Sequence, residues 1–193
     1  MKNLEIHKKL LKSTKKTFTF SDLKKLLTLK NDNSIYQAIK RLKKDGVINS
    51  FKNGVYYLTG APPNEFLAAN QIYYPSYISL ETALNYYGIL IQTPQIIFSV
   101  TCKRGKELLC NNKEYSYHHL TQKYFFDYIK EKDFLIATPE KALIDTIFLN
   151  SFGKLKTDLD ELVLNIISKK RLYRIKERID SRAFNKRFSE LKL

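Results

Sequence analysis

Two β-rich runs, residues 47–51 (Val-Ile-Asn-Ser-Phe) and 55–58 (Val-Tyr-Tyr-Leu), are separated only by Lys52-Asn53-Gly54. Asn-Gly between such runs is a strong hairpin signal, because both residues tolerate positive φ at the centre of a tight turn. The segment before the hairpin has helical texture. Leu4, Ile6, Leu10 and Leu11 fall on one face of a first amphipathic helix over residues 3–13. Phe18 and Phe20 alternate with threonines as in a short strand. Ser21 then caps a second helix striped by Leu23, Leu26 and Leu27. Asn31-Asp32-Asn33 reads as a turn, and Ser34 or Asn33 caps a third helix with Ile35, Ala38, Ile39 and Leu42 inward. Asp45-Gly46 ends it. Three helices followed by a hairpin is the order of a winged helix-turn-helix. Thr59-Gly60-Ala61-Pro62-Pro63 breaks any helix or strand, which divides the chain into residues 1–60 and 61–193.

Charge supports this division. The whole chain carries +15 in 193 residues. Residues 1–58 hold 14 basic and 4 acidic side chains, residues 59–150 hold 8 and 9, and residues 151–193 hold 12 and 6. The expected helix over residues 34–44 leaves Ser34, Tyr36, Gln37, Lys40, Arg41, Lys43 and Lys44 on its wet side. Ser34, Tyr36 and Gln37 near its start suit base edges in a major groove, and Gln pairs bidentately with adenine. Lys40, Arg41, Lys43 and Lys44 suit phosphates. Lys52 and Asn53 at the hairpin tip suit the adjacent backbone or minor groove. A lone basic helix face is more often merely solvated. Here the element order, the hairpin and the charge all favour double-stranded DNA as a partner.

The middle of the chain has a different texture. Residues 65–69 read as a short helix, and Ser79 caps another over residues 80–87 closed by Gly88. Residues 95–102, 115–120, 124–129 and 134–137 read as strands. Thr138 caps a helix with Pro139 at its first position and Glu140 in its first turn, running to about Leu149. This is an α+β layout over residues 64–150. Lys141 and Asp145, four apart, are placed to pair on the helix surface.

The runs Tyr77-Ile78-Ser79-Leu80-Glu81-Thr82-Ala83-Leu84 and Tyr87-Gly88-Ile89, the strand over residues 94–101, and above all Thr138-Pro139-Glu140-Lys141-Ala142-Leu143-Ile144-Asp145 resemble the AbiEi antitoxins. The resemblance spans nearly the whole chain. Its most specific part is the Pro-Glu-Lys-Ala-Leu-Ile-Asp helix start. It implies an N-terminal winged helix before a C-terminal antitoxin domain, in a bacterial type IV toxin–antitoxin system of abortive infection and phage defence. Such an antitoxin represses its own operon and counters a nucleotidyltransferase-like toxin without needing a stable complex with it. Read from the residues alone, Thr-Pro-Glu is good helix-initiation chemistry, and the motif marks relatives better than it marks a chemical role.

The last third reads as helical and basic. Leu159, Leu162, Val163, Ile166 and Ile167 stripe an expected helix over residues 155–168, and two more follow over 172–179 and 183–191. Lys170, Arg171, Arg174, Arg178 and Arg182 form a possible second basic surface, for phosphate or for the toxin or its nucleic-acid substrate. Enzymatic readings find little support. His118 and His119 are adjacent and face opposite sides of a strand, so they cannot share a metal, and no metal or other cofactor is expected. There is no phosphate-cradling glycine loop among six glycines. Asp158-Leu159-Asp160 suits the start of a helix better than a metal site. Two cysteines, Cys102 and Cys110, indicate no disulfide framework and fit a reducing interior. The charged N-terminus lacks the apolar centre of a signal peptide, so a soluble cytoplasmic protein is expected, with no membrane partner. The expected function is thus an operator-binding antitoxin, working as a dimer or cooperatively on inverted half-sites. Phosphoryl transfer to the toxin, or direct masking of it, are the alternatives.

Overall fold

The computed structural model describes residues 3–52, 54–61 and 64–191, except for the side chains of residues 3 and 4. Asn53 and the Pro62-Pro63 pair, expected as turn and linker, lie outside the described residues. The chain is a mixed α+β protein of two compact units, Met1–Ile72 and Tyr73–Leu193. Among the described residues, no helix is long and apolar enough to cross a membrane.

The first unit runs α1 (Asn3–Lys12), β1 (Thr17–Thr19), α2 (Phe20–Leu27), α3 (Asp32–Lys44), β2 (Ile48–Lys52), β3 (Val55–Leu58) and α4 (Glu65–Ile72). The strands form an antiparallel sheet in the order β1-β3-β2. Leu10, Leu23, Leu27, Ile35, Ile39 and Leu42 from the helices close over Phe18, Ile48, Tyr56 and Leu58 from the sheet. Burying these side chains is the main force holding this unit, at about 1.5–3 kcal/mol each before entropy is charged against it.

Two cap assignments differ from those expected. Helix α2 starts earlier than Ser21, because Thr19 and Asp22 satisfy each other's backbone. Thr19 Oγ1 accepts from the Asp22 N–H at 3.1 Å, and Asp22 Oδ2 accepts from the Thr19 N–H at 2.9 Å. This reciprocal capping box outcompetes a lone serine. Helix α3 starts before Asn33, because Asn31 Oδ1 accepts from the Asn33 N–H at 2.9 Å. Asp32 and Asn33 are therefore helical.

The first compact unit extends past the breakers near residue 60 to Ile72, and the cause is clear. Successive strand side chains face opposite sides of a sheet. Strand β3 is apolar at every position, so Tyr56 and Leu58 meet the α1–α3 core while Val55 and Tyr57 face away from it. A bulge at Phe51, between Ser50 and Lys52, adds a second ring to that far face. Helix α4 covers it, with Ala68 and Ile72 packed on Phe51, Val55 and Tyr57.

The second unit holds β4 (Ser76–Ile78), α5 (Leu80–Tyr86), β5 (Ile96–Thr101), β6 (Lys106–Cys110), β7 (Lys113–His119), a 3₁₀ turn (Gln122–Tyr124), β8 (Tyr128–Glu131), β9 (Phe134–Ala137), α6 (Pro139–Ser151), α7 (Lys169–Lys176) and α8 (Arg182–Ser189). Its six-stranded mixed sheet has the order β6-β7-β5-β4-β9-β8, with β4–β9 and β5–β7 parallel. Strand β6 pairs with β7 through Asn111-Asn112, at φ 52° and 58°, the backbone of a two-residue hairpin turn. Helix α6 packs against α5, α7, α8 and β9.

The helix expected over residues 155–168 is not formed. Its polar groups are engaged elsewhere: Thr157 Oγ1 donates to Glu81 at 2.6 Å, Asn150 Nδ2 donates to the Thr157 carbonyl at 2.7 Å, and the Val163 N–H donates to the Ile89 carbonyl at 2.8 Å. The Asp160 N–H donates to Asp158 Oδ1 at 3.0 Å, so this acid pair marks a turn rather than a helix start. The strand expected over 124–129 is divided between the 3₁₀ turn and β8.

Burial pulls the Asp22 carboxyl up, but the Thr19 N–H and hydroxyl, with Lys15, hold it net below its ordinary 3.8. An acid lowered in the folded state stabilises above its unfolded value and loses that contribution as pH falls through the folded one. Thr19→Ala should cost about 1 kcal/mol in urea denaturation. Asp22→Asn should narrow the difference in melting temperature between about pH 7 and about pH 3.

Candidate functional site

Helix α3 is built by a stripe of fully or almost fully buried Ile35, Ile39 and Leu42. Its start is tied down by Asn31 and by an ion pair between Lys24 and Asp32. Ser34, Tyr36, Gln37, Lys40, Arg41, Lys43 and Lys44 are all exposed. At about 100° per residue they do not form one row. Gln37, Lys40 and Lys44 lie opposite the buried stripe. Ser34 and Arg41 turn to the flank where Ile6 and Leu29 line a shallow hollow with them. Tyr36 and Lys43 turn to the other flank, where the Tyr36 ring lies 4.8 Å from Phe20 at the start of α2. Lys52 is half-buried at the end of β2; Asn53, its expected companion, is outside the described residues.

Asn33 is the residue that sequence reasoning passed over. With Asn31 as the cap, Asn33 is exposed in the first turn, on the same arc as Gln37. Asn and Gln make the same bidentate pattern to adenine. The missed signal is the Asn-x-Asn spacing, in which the first Asn is as good a cap as the second.

The five motif residues in the second unit occupy a different kind of place. Lys141 and Asp145 do pair, but inside the protein: their side chains are 0% and 1% exposed. The surface pair expected from their spacing is corrected by α6 itself, which is covered on nearly every side. Asp145 Oδ2 accepts from Tyr77 Oη at 2.9 Å and from Ser79 Oγ at 2.8 Å. Lys141 Nζ lies 5.7 Å from the Tyr77 ring and 5.1 Å from the Phe126 ring. Burial drives the Asp145 carboxyl above its ordinary value, with Lys141, Ser79 and Tyr77 pulling it back. Burial, then the charge of Asp145, sends the Tyr77 phenol well above 10. Ser79 stands at the N-cap of α5 yet makes no side-chain cap bond, because its hydroxyl serves Asp145.

Thr138 caps α6 as expected, with Pro139 in its first turn, accepting from the Lys141 N–H at 3.4 Å and donating to Asp127 Oδ2 at 2.8 Å. Glu140 Oε1 accepts from the Ser168 N–H at 3.0 Å, and Arg171 Nε lies 3.5 Å from Glu140 Oε2. Arg171 also reaches Asp127 at 3.3 Å. Arg171 is therefore committed inward. Lys170, Arg174 and Arg182 are exposed, and Arg178 lies over Phe126 at 3.5 Å from the ring centroid.

The Lys141–Asp145 pair is sealed from solvent, so its chemistry is cohesion. Elsewhere, His118 is half-buried, with Nε2 3.2 Å from Ser116 Oγ, and burial lowers its pKa. His119 Nδ1 lies 2.8 Å from the Lys103 carbonyl. Cys102 and Cys110 are free thiols. Among the described residues, no group of three His, Cys, Asp or Glu side chains is placed to hold a metal. No protein-family model matches the chain, and a search of curated proteins finds no match.

Removing one member of a buried ion pair strands the other. Lys141→Met alone should therefore cost about 3–5 kcal/mol in urea denaturation. The double change Lys141→Met with Asp145→Asn should recover most of that loss, since the amide oxygen so introduced still accepts from Tyr77 and Ser79.

Proposed function

We propose that the first unit is a winged helix-turn-helix that binds operator DNA, with α3 as the reading helix and the β2–β3 hairpin as the wing. One observation carries this reading. Helix α3 buries Ile35, Ile39 and Leu42 almost completely while holding Gln37, Lys40 and Lys44 on the opposite, exposed side. In this reading Asn33 and Gln37 meet base edges, and Lys40, Arg41, Lys43 and Lys44 meet phosphates. The excess of 14 basic over 4 acidic residues in positions 1–58 supplies long-range attraction to the duplex.

The chain as a whole is read as an antitoxin of the AbiEi kind, a cytoplasmic repressor of its own operon that counters a nucleotidyltransferase-like toxin. The support is the Thr138–Asp145 motif together with the DNA-reading surface. The motif's burial fits a family signature that preserves a scaffold.

Mobility-shift assays on the DNA upstream of the gene test the reading. With about six phosphate contacts, log affinity should fall against log salt with a slope of roughly −5, and a flat response would refute it. Lys40→Ala with Arg41→Ala should weaken all duplexes alike. Gln37→Ala should relax sequence preference by about 1–3 kcal/mol at one base pair, and unchanged preference would remove Gln37 from the reading set.

A further inference from the structure

Helix α7 places Arg171, Arg174 and Arg178 three and seven positions apart, along one face and just past its end. The outer two both touch the segment that leads into β8. Arg171 pairs with Asp127, and the Arg178 guanidinium covers the half-buried Phe126 ring. Arg174 lies between them and is exposed. Arg171 pairs with both Asp127 and Glu140, whereas neither Arg174 nor Arg178 forms a salt bridge among the described residues. The positive charge of Arg174 and Arg178 is left for something else.

The aromatic side of the same place is unusually well fixed. Tyr128 is 37% exposed, and its ring stacks at 4.8 Å and 17° on Tyr77, which is itself fully buried and hydrogen-bonded to Asp145. Phe125 packs against both, at 5.3 and 4.9 Å. Two residues along β8, on the same side of the strand as Tyr128, Lys130 is also exposed. Strand β8 stands at the end of the sheet, paired with β9. One exposed ring held rigid from beneath, a stacked guanidinium plane and flanking cations are elements by which proteins hold unpaired bases on a charged backbone. A duplex hides its base faces and would gain nothing from these rings.

We infer that the surface formed by Tyr128, Phe126, Arg178, Arg174 and Lys130 is a binding site for single-stranded nucleic acid, in which bases stack on Tyr128 and the Arg178–Phe126 pair while Arg174 and Lys130 take phosphates. The inference does not depend on the DNA-reading proposal for α3, because every residue in it belongs to the second unit.

Fluorescence anisotropy with the full chain tests it, using labelled oligouridylate and oligodeoxythymidylate of about twelve nucleotides. Tyr128→Leu and Arg178→Lys should each weaken binding about tenfold in chains that still melt in one cooperative transition. Arg178→Lys keeps the charge and loses the plane, so it separates stacking from simple attraction. The Lys40→Ala, Arg41→Ala chain should bind the single strand as the wild type does, even where it fails on duplex. A stronger response to the uridylate names RNA as the ligand, and equal responses name a site indifferent to the sugar. The inference is overturned if both β8–α7 variants bind as wild type. It is also overturned if the α3 variant loses the single strand, or if heparin and duplex displace the strand as readily as an unlabelled copy does.

Discussion

A charge pair sealed from water sets the terms for the second unit. Lys141 and Asp145 gain their stability only because other groups complete them: Tyr77 from β4, Ser79 from the turn into α5, and the rings of Tyr77 and Phe126 against the ammonium. Burial of two charges is unfavourable unless the geometry is well satisfied. The sheet, the start of α5 and the loop before β8 must therefore arrive together. Thr138, Asp127, Glu140 and Arg171 extend the same polar chain outward to α7. The start of one helix thereby registers most of the unit.

The first unit is organised by a different constraint, the two wet-averse faces of a small sheet. Helices α1–α3 satisfy one face. The far face, made by Phe51, Val55 and Tyr57, is satisfied only when α4 arrives from beyond the Gly-Pro stretch. The exposed side of α3 is free to be polar and basic because none of this core needs it.

Much of this was legible in the residues. The three helices and hairpin of the first unit, the wet face of α3 and the cap of α6 follow from periodicity and capping chemistry, which act locally. What was not legible depends on distant partners. Lys141 and Asp145 read as a surface pair, because spacing alone does not report that Tyr77 and Ser79, more than sixty positions earlier, fold over them. Residues 155–168 carry a helical stripe, yet Glu81 and Ile89 claim their polar groups. Arg171 reads as one cation among many until Asp127 and Glu140 draw it inward. Strand β6 was passed over although Asn111-Asn112 is a sound turn signal. The division near residue 60 follows the chain's breakers, and the first compact unit extends past it to Ile72 because α4 covers the outer side of β3, whose four apolar residues are the clue.

That last feature bears on how the protein can be divided or recombined. A fragment ending at the Gly-Pro stretch would leave Phe51, Val55 and Tyr57 bare, a sticky strip beside an unpaired strand margin, and would self-associate. The transferable module is the one that carries its own lid, ending at Ile72. Any shuffling of the N-terminal part between different C-terminal partners must respect that seam.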